Sequence, residues 1–276
     1  MVSAKYYNEN CDVALATNLS LDQFPTDCKK LLEEHQIQII QIPFDSFRFS
    51  GDMKWSLAFY KLCVLKHLVQ SGTYDMICYM DTDVYIQGNF DAIWRECKAN
   101  ILLYDINHGL NTKGYVILCE EVERFLGTQK LITHYGGEFF AASKSDLMAF
   151  SLYCEEIYKQ MQKSSFVTTK GDEFIVSLAA DKMKQKIKNA APYICRFWTG
   201  ARFRLISTCY KYNRVTVLHV PAEKERGMIR LYQKYIGKGI VPKDQVVWRT
   251  LRLKHLSILD YVKLTVQKIL SVMKVK

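Results

Sequence analysis

Short apolar runs alternate with segments of helical periodicity along most of the chain, which predicts an alternation of strands and helices. The predicted strands are 12–17, 37–42, 75–80, 101–104, 115–118, 139–142, 192–195 and 215–218. The predicted helices are 25–35, 52–71, 90–97, 145–162 and 172–183, followed by a long helix over 245–276. Such an alternation indicates an α/β domain with a mostly parallel central sheet, in which ligands bind at the carboxyl ends of strands.

The final segment differs from the rest in its charge. Residues 249–276 carry seven Lys and Arg residues and a single acid, Asp260. The apolar positions of this predicted helix form one stripe: Leu251, Ile258, Leu259, Val262, Val266, Ile269, Leu270 and Met273. We therefore expect a catalytic or binding domain over 1–243 and a basic amphipathic tail over 244–276. The tail either lies on an anionic membrane surface or packs on the domain.

Composition narrows the class of protein. The chain has 276 residues and a formal net charge of +10, which suits nucleic acid, anionic lipid or phosphorylated substrates. No zinc-finger spacing or RNA-recognition motif is present, so we expect no nucleic acid partner. Nine singly spaced cysteines without a Cys-x-x-Cys pair indicate reduced thiols in a cytoplasmic protein. The polar start and the lack of a long apolar stretch predict neither a signal peptide nor a membrane span, which leaves peripheral attachment at the inner face of a membrane.

Two carboxylates end the third predicted strand. Asp81 and Asp83 are separated by Thr82, so their side chains lie on the same side of an extended backbone. Two hard oxygen ligands at the carboxyl end of a strand suit a divalent cation that also binds a substrate diphosphate, as Mg²⁺ and Mn²⁺ do. Asp-x-Asp alone is a weak signal, because such pairs also occur in solvated turns.

The surrounding segment Tyr79–Trp94 resembles the metal-site segment of GT-A glycosyltransferases, in particular the glycogenin-like retaining family eight. That resemblance implies that Asp81, Thr82 and Asp83 contact the metal and the donor. It also implies that Lys61, in Phe59-Tyr-Lys-Leu, points at the donor sugar-nucleotide; the alternative is a solvated helix lysine. Arg48 and Lys54 are weaker candidates for binding the donor diphosphate.

The resemblance also covers the run Val215–Lys224. His219 follows an alternating strand pattern and would complete the metal site, whereas a lone histidine is more often structural. Lys224 would bind the donor phosphate. The chain lacks the glycine and the Lys-Pro-Trp run that normally follow this histidine, which makes the assignment of Lys224 doubtful.

Two further segments resemble retaining GT-A enzymes, including the blood-group-transferase family. Gly136 and Gly137 match the glycine-led segment that closes over the donor sugar; the alternative is an ordinary turn before a strand. Asp172 and Glu173 match an acidic pair at a helix start. By resemblance, Asp172 holds an acceptor hydroxyl and Glu173 lies near the anomeric carbon, although acids in a first helical turn are also common capping residues.

These patterns together predict a GT-A glycosyltransferase that uses Mn²⁺ or Mg²⁺. The resemblance implies that it moves a hexose from a nucleotide diphosphate sugar, UDP-galactose or UDP-glucose, to a saccharide or lipid-linked saccharide. It also implies retention at the anomeric carbon, with inversion as the alternative. At the amino-terminal end, either Val13–Thr17 is the first strand or an earlier strand is absent. The rivals are a nucleotidyl- or phosphotransferase, which lacks support from any Gly-rich phosphate loop, and a non-enzymatic basic membrane or nucleic-acid adaptor.

Overall fold

A computed structural model describes residues 1–49, 53–71, 74–106, 109–199 and 215–253, together with 259, 262, 265 and 266. Its strands are β1 (Val13–Thr17), β2 (Ile37–Gln41), β3 (Met76–Met80), β4 (Val84–Ile86), β5 (Ile101–Asp105), β6 (Tyr135–Ser143), β7 (Ile187–Asn189), β8 (Ile194–Arg196) and β9 (Val217–His219). Its helices are α1 (Val2–Tyr7), α2 (Thr26–Glu34), α3 (Tyr60–Ser71), α4 (Asp91–Cys97), α5 (Lys113–Leu126), α6 (Lys144–Lys163), α7 (Asp172–Lys182), α8 (Gly227–Lys238) and α9 (Asp244–Thr250). The class is α/β, as predicted.

The sheets are mixed, so the prediction of a mostly parallel central sheet is wrong. The largest sheet has the order β3-β6-β5-β7, in which β6 runs antiparallel to both β3 and β5. Only β5 and β7 are parallel in that sheet. A second sheet has the order β4-β9-β8, and β1 pairs with β2 in parallel. The antiparallel β6 brings its amino-terminal residues beside the carboxyl end of β3.

The long strand β6 separates two apolar cores. Phe140 packs with residues of α3, α6 and α7, such as Leu65, Phe150 and Phe174. Phe139 faces the other way and packs with residues of α1, α4 and β4, including Ile93. This alternation follows from the two-residue period of a strand, and burial on both faces makes β6 the central strand of the fold.

One predicted strand is a helix. Residues 115–118 lie within α5, whose buried positions Tyr115, Leu118, Glu121 and Val122 recur at helical spacing. The tyrosine and apolar run suggested a strand, but four residues are too few to distinguish the two periods. The predicted helix 52–71 begins later than expected, because Ser56–Phe59 forms a 3₁₀ turn before α3. Residues 51 and 52 lie outside the described part.

The carboxyl-terminal segment is helical in two places and is not the single continuous helix that was predicted. The first part of the helix expected over 245–276 is α9, which ends at Thr250; Arg252 then adopts a positive φ of 59°, and the described residues 259, 262, 265 and 266 are helical again. Val247 and Leu251 are buried in a third apolar core with Leu231 of α8 and Leu218 of β9. Leu259, Val262 and Val266 are exposed. The other members of the predicted stripe lie outside the described residues: Ile258, Ile269, Leu270 and Met273. None of the described helices is long and apolar enough to cross a membrane.

Candidate metal centre

The sheet register brings three predicted ligands together. Asp81 follows the last residue of β3, and its backbone N–H donates to the carbonyl of Glu138 in β6. Asp83 precedes β4, where Val84 pairs with His219 of β9. As a result, single ligand atoms of Asp81, Asp83 and His219 all lie within 4.8 Å of one another. This group can hold a metal ion, as the sequence predicted.

The chemistry of the triad fits a divalent cation. Asp83 is buried, and its Oδ1 accepts no hydrogen bond from any residue that the structure describes. His219 Nε2 lies 3.2 Å from that oxygen. A buried carboxylate oxygen that lacks a donor is costly unless a cation or another partner satisfies it. Two carboxylates and one imidazole form a set that first-row divalent ions accept readily.

Glu138 fixes the orientation of His219. The Glu138 side chain is 1% exposed, and its Oε1 lies 3.3 Å from His219 Nδ1. Burial opposes ionisation of this carboxyl, but His219 and Arg196 together lower the pKa of Glu138 to about 2. An ionised carboxylate at Nδ1 favours the tautomer with the proton on that nitrogen. Nε2 then presents its lone pair to the triad, in the arrangement common around metal-bound histidines.

The basic partner of Glu138 comes from β8. Arg196 donates from Nε and Nη2 to the two carboxylate oxygens of Glu138, at 2.7 and 2.6 Å. The same Nη2 donates to Glu173 Oε1 at 3.0 Å. Parallel pairing of β8 with β9 places Arg196 opposite His219. Arg196 therefore joins the metal triad to the acidic pair that begins α7.

Lys61 forms a second link between the triad and α7. Its Nζ lies 3.2 Å from Asp81 Oδ2 and 3.1 Å from Asp172 Oδ2, and its side chain is 10% exposed. Lys61 is therefore a buried, ion-paired residue and not the solvated helix lysine of the alternative. Tyr79 donates to the other oxygen of Asp81 at 3.1 Å. Burial raises the pKa of Asp172 to about 6, although Lys61 opposes the change.

The glycine pair leaves room for these two ion pairs. A Cβ on Gly136 would overlap the Glu138 carboxylate and lie 2.7 Å from Arg196 Nη2. A Cβ on Gly137 would overlap the Asp172 carboxylate and lie 2.9 Å from Lys61 Nζ. Both glycines belong to strand β6 and neither forms the turn of the alternative. The space beside the backbone is what requires glycine at both positions.

Glu173 is held by two cationic or potentially cationic groups. Besides Arg196, His134 Nε2 lies 2.9 Å from Glu173 Oε2. Burial opposes ionisation of Glu173, but His134 and Arg196 lower its pKa below the ordinary value. The side chains of Asp172 and Glu173 thus contact Lys61, Arg196 and His134. Those contacts face the site, which a purely capping role would not require.

The start of α7 is anchored from α5. Glu121 is buried and accepts hydrogen bonds from the backbone N–H and the hydroxyl of Thr169, at 2.9 and 2.7 Å. Two residues later, Gly171 caps α7 with a φ of 61° and a ψ of −140°. That conformation is essentially restricted to glycine. The loop therefore enters α7 at a fixed angle and presents Asp172 and Glu173 to the site.

The centre carries more negative than positive charge. Its carboxylates are Asp81, Asp83, Glu138, Asp172 and Glu173, against the permanent cations Lys61 and Arg196. With neutral histidines the excess is about three negative charges, which attracts a divalent cation and repels a diphosphate that arrives without one. An anion could therefore bind at this centre more easily with a cation present than without one.

The remaining predicted residues are not held in the network of ion pairs. Thr82 and Lys224 are exposed. Lys224 contributes to lowering the pKa of Asp83, after the larger effects of burial, which opposes it, and of His219. Arg48 lies over the Phe44 ring and Lys54 over the Trp55 ring. Within the described part of the chain, neither Arg48 nor Lys54 forms an ion pair with a carboxylate of the centre.

A cavity of about 350 Å³ opens beside the network. It is lined by Asp105, Leu110, Tyr115, Leu131, Ile132, Thr133 and His134. Because His134 also contacts Glu173, the cavity and the acidic pair share one wall. The cavity is large enough to hold part of a small molecule.

Sequence reasoning missed Glu138, Arg196, His134 and Tyr79. Glu138 offered a signal, because an acid within the apolar run that follows two glycines is unusual for a central strand. Arg196 offered a weaker sequence signal, since its partners depend on strand register.

A scan against protein-family profiles and a search of curated proteins found no match to this chain.

Proposed function

We propose that this protein is a metal-dependent glycosyltransferase of the GT-A type. The observation that carries the proposal is the triad of Asp81, Asp83 and His219 at the carboxyl end of β3, with ligand atoms within 4.8 Å. The reaction moves a hexose from a nucleotide diphosphate sugar, UDP-galactose or UDP-glucose, to a saccharide or lipid-linked saccharide acceptor. Mn²⁺ or Mg²⁺ is the ion that the oxygen-rich ligand set favours.

The residues around the triad support this chemistry. A divalent cation, when bound, neutralises the charge of the departing diphosphate. In the transfer, the bond from the anomeric carbon to the diphosphate oxygen breaks and a bond to an acceptor oxygen forms. Glu173 is held ionised by Arg196 and His134, so it stabilises positive charge that develops on the sugar ring. The acceptor proton leaves with the diphosphate.

Asp172 and Lys61 have a different role in this proposal. Asp172 Oδ2 is buried beside Lys61, and a hydroxyl of the acceptor that reaches this carboxylate can donate a hydrogen bond to it. Lys61 pairs with both Asp81 and Asp172 and so offsets the repulsion between the two carboxylates. It also adds positive charge near the diphosphate. Retention of configuration is the outcome that we propose: the acceptor oxygen attacks on the face that the diphosphate leaves, and Glu173 stabilises the positive charge of the ring.

The test is a binding assay followed by a donor-hydrolysis assay. We expect Mn²⁺ and UDP together to raise the melting temperature of the wild type, and we expect metal-dependent hydrolysis of UDP-galactose or UDP-glucose. Asp81→Asn and Asp83→Asn should lose both effects while remaining folded. Asp75→Asn is the matched control, because Asp75 is exposed at the opposite end of β3. Wild-type affinity for UDP in both triad variants contradicts the proposal.

The rival phosphotransferase would use the same triad on a nucleoside triphosphate. Release of inorganic phosphate or pyrophosphate from ATP or UTP, without hydrolysis of any sugar nucleotide, would favour that reaction instead. The excess negative charge of the centre argues against nucleic acid as a partner of this site.

A further inference from the structure

Trp55 occupies an unusual position at the rim of the centre. Its backbone adopts a left-handed conformation, with φ 62° and ψ 28°, and its residue surface is 63% exposed. A bulky residue at positive φ is a genuine outlier. Burial of the indole does not account for the conformation, because most of the side chain remains in solvent. Strain that persists without such burial points to a functional site.

The contact that holds Trp55 leads directly to the acidic pair. A Cβ on Gly171 would lie 3.0 Å from Trp55 Cβ, so the Trp55 side chain packs on the Gly171 backbone with little room for a larger residue. Gly171 itself has a positive φ of 61° and immediately precedes Asp172. Both sides of this contact therefore use uncommon backbone geometry, and together they fix the indole beside the start of α7.

A chain of contacts connects Trp55 to the metal triad. Asp81 contacts Lys61, Lys61 contacts Asp172, and Asp172 follows the glycine that packs on Trp55. In the proposed function the donor diphosphate binds at the triad and Asp172 holds an acceptor hydroxyl, so Trp55 packs beside the residue that is assigned to the acceptor. Lys54 Nζ lies 5.6 Å from the centre of the indole ring and offers a donor to hydroxyls there.

We propose that Trp55 is the stacking platform for a pyranose ring of the acceptor saccharide. A pyranose has an apolar face of C–H groups and an edge of hydroxyls. An exposed indole covers the apolar face, while the nearby Asp172 carboxylate accepts from the hydroxyls. This inference rests on the proposed glycosyltransferase function and names the residue that binds the acceptor in it.

The test measures saccharide binding without turnover. Saturation-transfer NMR is recorded with lactose, maltose and cellobiose on the wild type, Trp55→Gly, Trp55→Phe and Leu57→Ala. Trp55→Gly suits the positive φ, so its melting temperature should equal or exceed that of the wild type. Leu57 is the matched control, because it is 81% exposed two residues away in the 3₁₀ turn.

We expect Trp55→Gly to raise the dissociation constant of a bound disaccharide about tenfold, which is the effect of uncovering one aromatic face. Trp55→Phe should stay within about threefold of the wild type, and Leu57→Ala should match it. The platform is disproved if no disaccharide binds the wild type, or if Trp55→Gly binds as tightly as the wild type. A fall in melting temperature with equal loss in Leu57→Ala shows a structural tryptophan instead.

Two further measurements distinguish the stacking proposal from a failure of the proposed glycosyltransferase function and from a membrane-anchoring role of Trp55. The affinity of the Trp55 and Leu57 variants for Mn²⁺ with UDP should equal that of the wild type. If the wild type itself does not bind Mn²⁺ with UDP, the glycosyltransferase function fails independently of the stacking result. Vesicles of phosphatidylserine test the other use of an exposed tryptophan. If Trp55→Gly loses vesicle binding and keeps disaccharide binding, Trp55 is a membrane anchor and the platform is wrong.

Discussion

Replacing Lys61 with methionine tests the buried charge network most directly. Lys61 Nζ lies 3.1 Å from Asp172 and 3.2 Å from Asp81, and the Asp172 side chain is only 6% exposed. Methionine preserves the length and apolar stem of the lysine but removes its charge. Asp81 keeps the hydrogen bond from Tyr79 and is partly exposed. The substitution therefore destabilises the ionised Asp172 carboxylate more than that of Asp81.

The loss of stability should depend on pH, and its sign follows from Asp172. Burial raises the folded-state pKa of Asp172 from 3.8 to about 6 even with Lys61 present. Without Lys61 the pKa rises further, so the folded state favours the proton, and stability falls as pH increases through that pKa. At pH 8 the variant must bury an unpaired carboxylate or protonate it, which should cost about 3–5 kcal/mol. At pH 5 Asp172 is protonated in both proteins, and only the partly exposed pair with Asp81 is lost, about 1 kcal/mol.

Urea unfolding followed by tryptophan fluorescence at pH 5 and pH 8 measures both values. Lys66→Met is the matched control on the same helix, because Lys66 pairs with Glu155 at 3.4 Å and both side chains are about one quarter exposed. It should lose less than about 1 kcal/mol at either pH. An equal loss for Lys61→Met at the two pH values refutes the reasoning about Asp172.

Two other predictions use the same network. Gly137→Ala should lower the free energy of unfolding by about 1–3 kcal/mol in the same urea assay, because the added Cβ displaces the Lys61–Asp172 pair. Gly237→Ala is the control: a Cβ there meets open space within α8, so the substitution should be neutral or stabilising. Burial lowers the pKa of His219, but Asp83 and Glu138 raise it more, so the net pKa lies above its ordinary value and protons compete with a metal at that ring. Mn²⁺ affinity should therefore rise between pH 6 and pH 8 with release of a proton, which calorimetry in buffers of different ionisation enthalpy detects; affinity independent of pH argues against His219 as a ligand.

The sequence predicted those site residues whose position depends on local structure. Asp81 and Asp83 follow an apolar run of strand length, and a strand of that kind needs no distant information to be recognised. His219 likewise ends an alternating run. The structure brings all three together, although nothing local required β9 to pair with β4. Their shared position was inferred from resemblance rather than from periodicity.

Features that depend on long-range pairing escaped prediction. The antiparallel direction of β6 is set by its neighbours β3 and β5, and local sequence carries little information about direction. Arg196 becomes a partner of Glu138 only through the register of β8 with β9. Three-residue strands such as β4 and β7 are too short to show a period, and β propensity is a weak guide without its packing context.

The pairing of Val84 with His219 has a consequence for how the protein folds and persists. Ligands of the centre come from distant parts of the chain, so the site exists only after sheet contacts of large sequence separation have closed, which slows folding. An ion bound by this centre alone stabilises the native state by mass action, about 2.7 kcal/mol when its concentration is a hundred times the dissociation constant. Depletion of such an ion would then lower the stability of the folded chain as well as empty the centre.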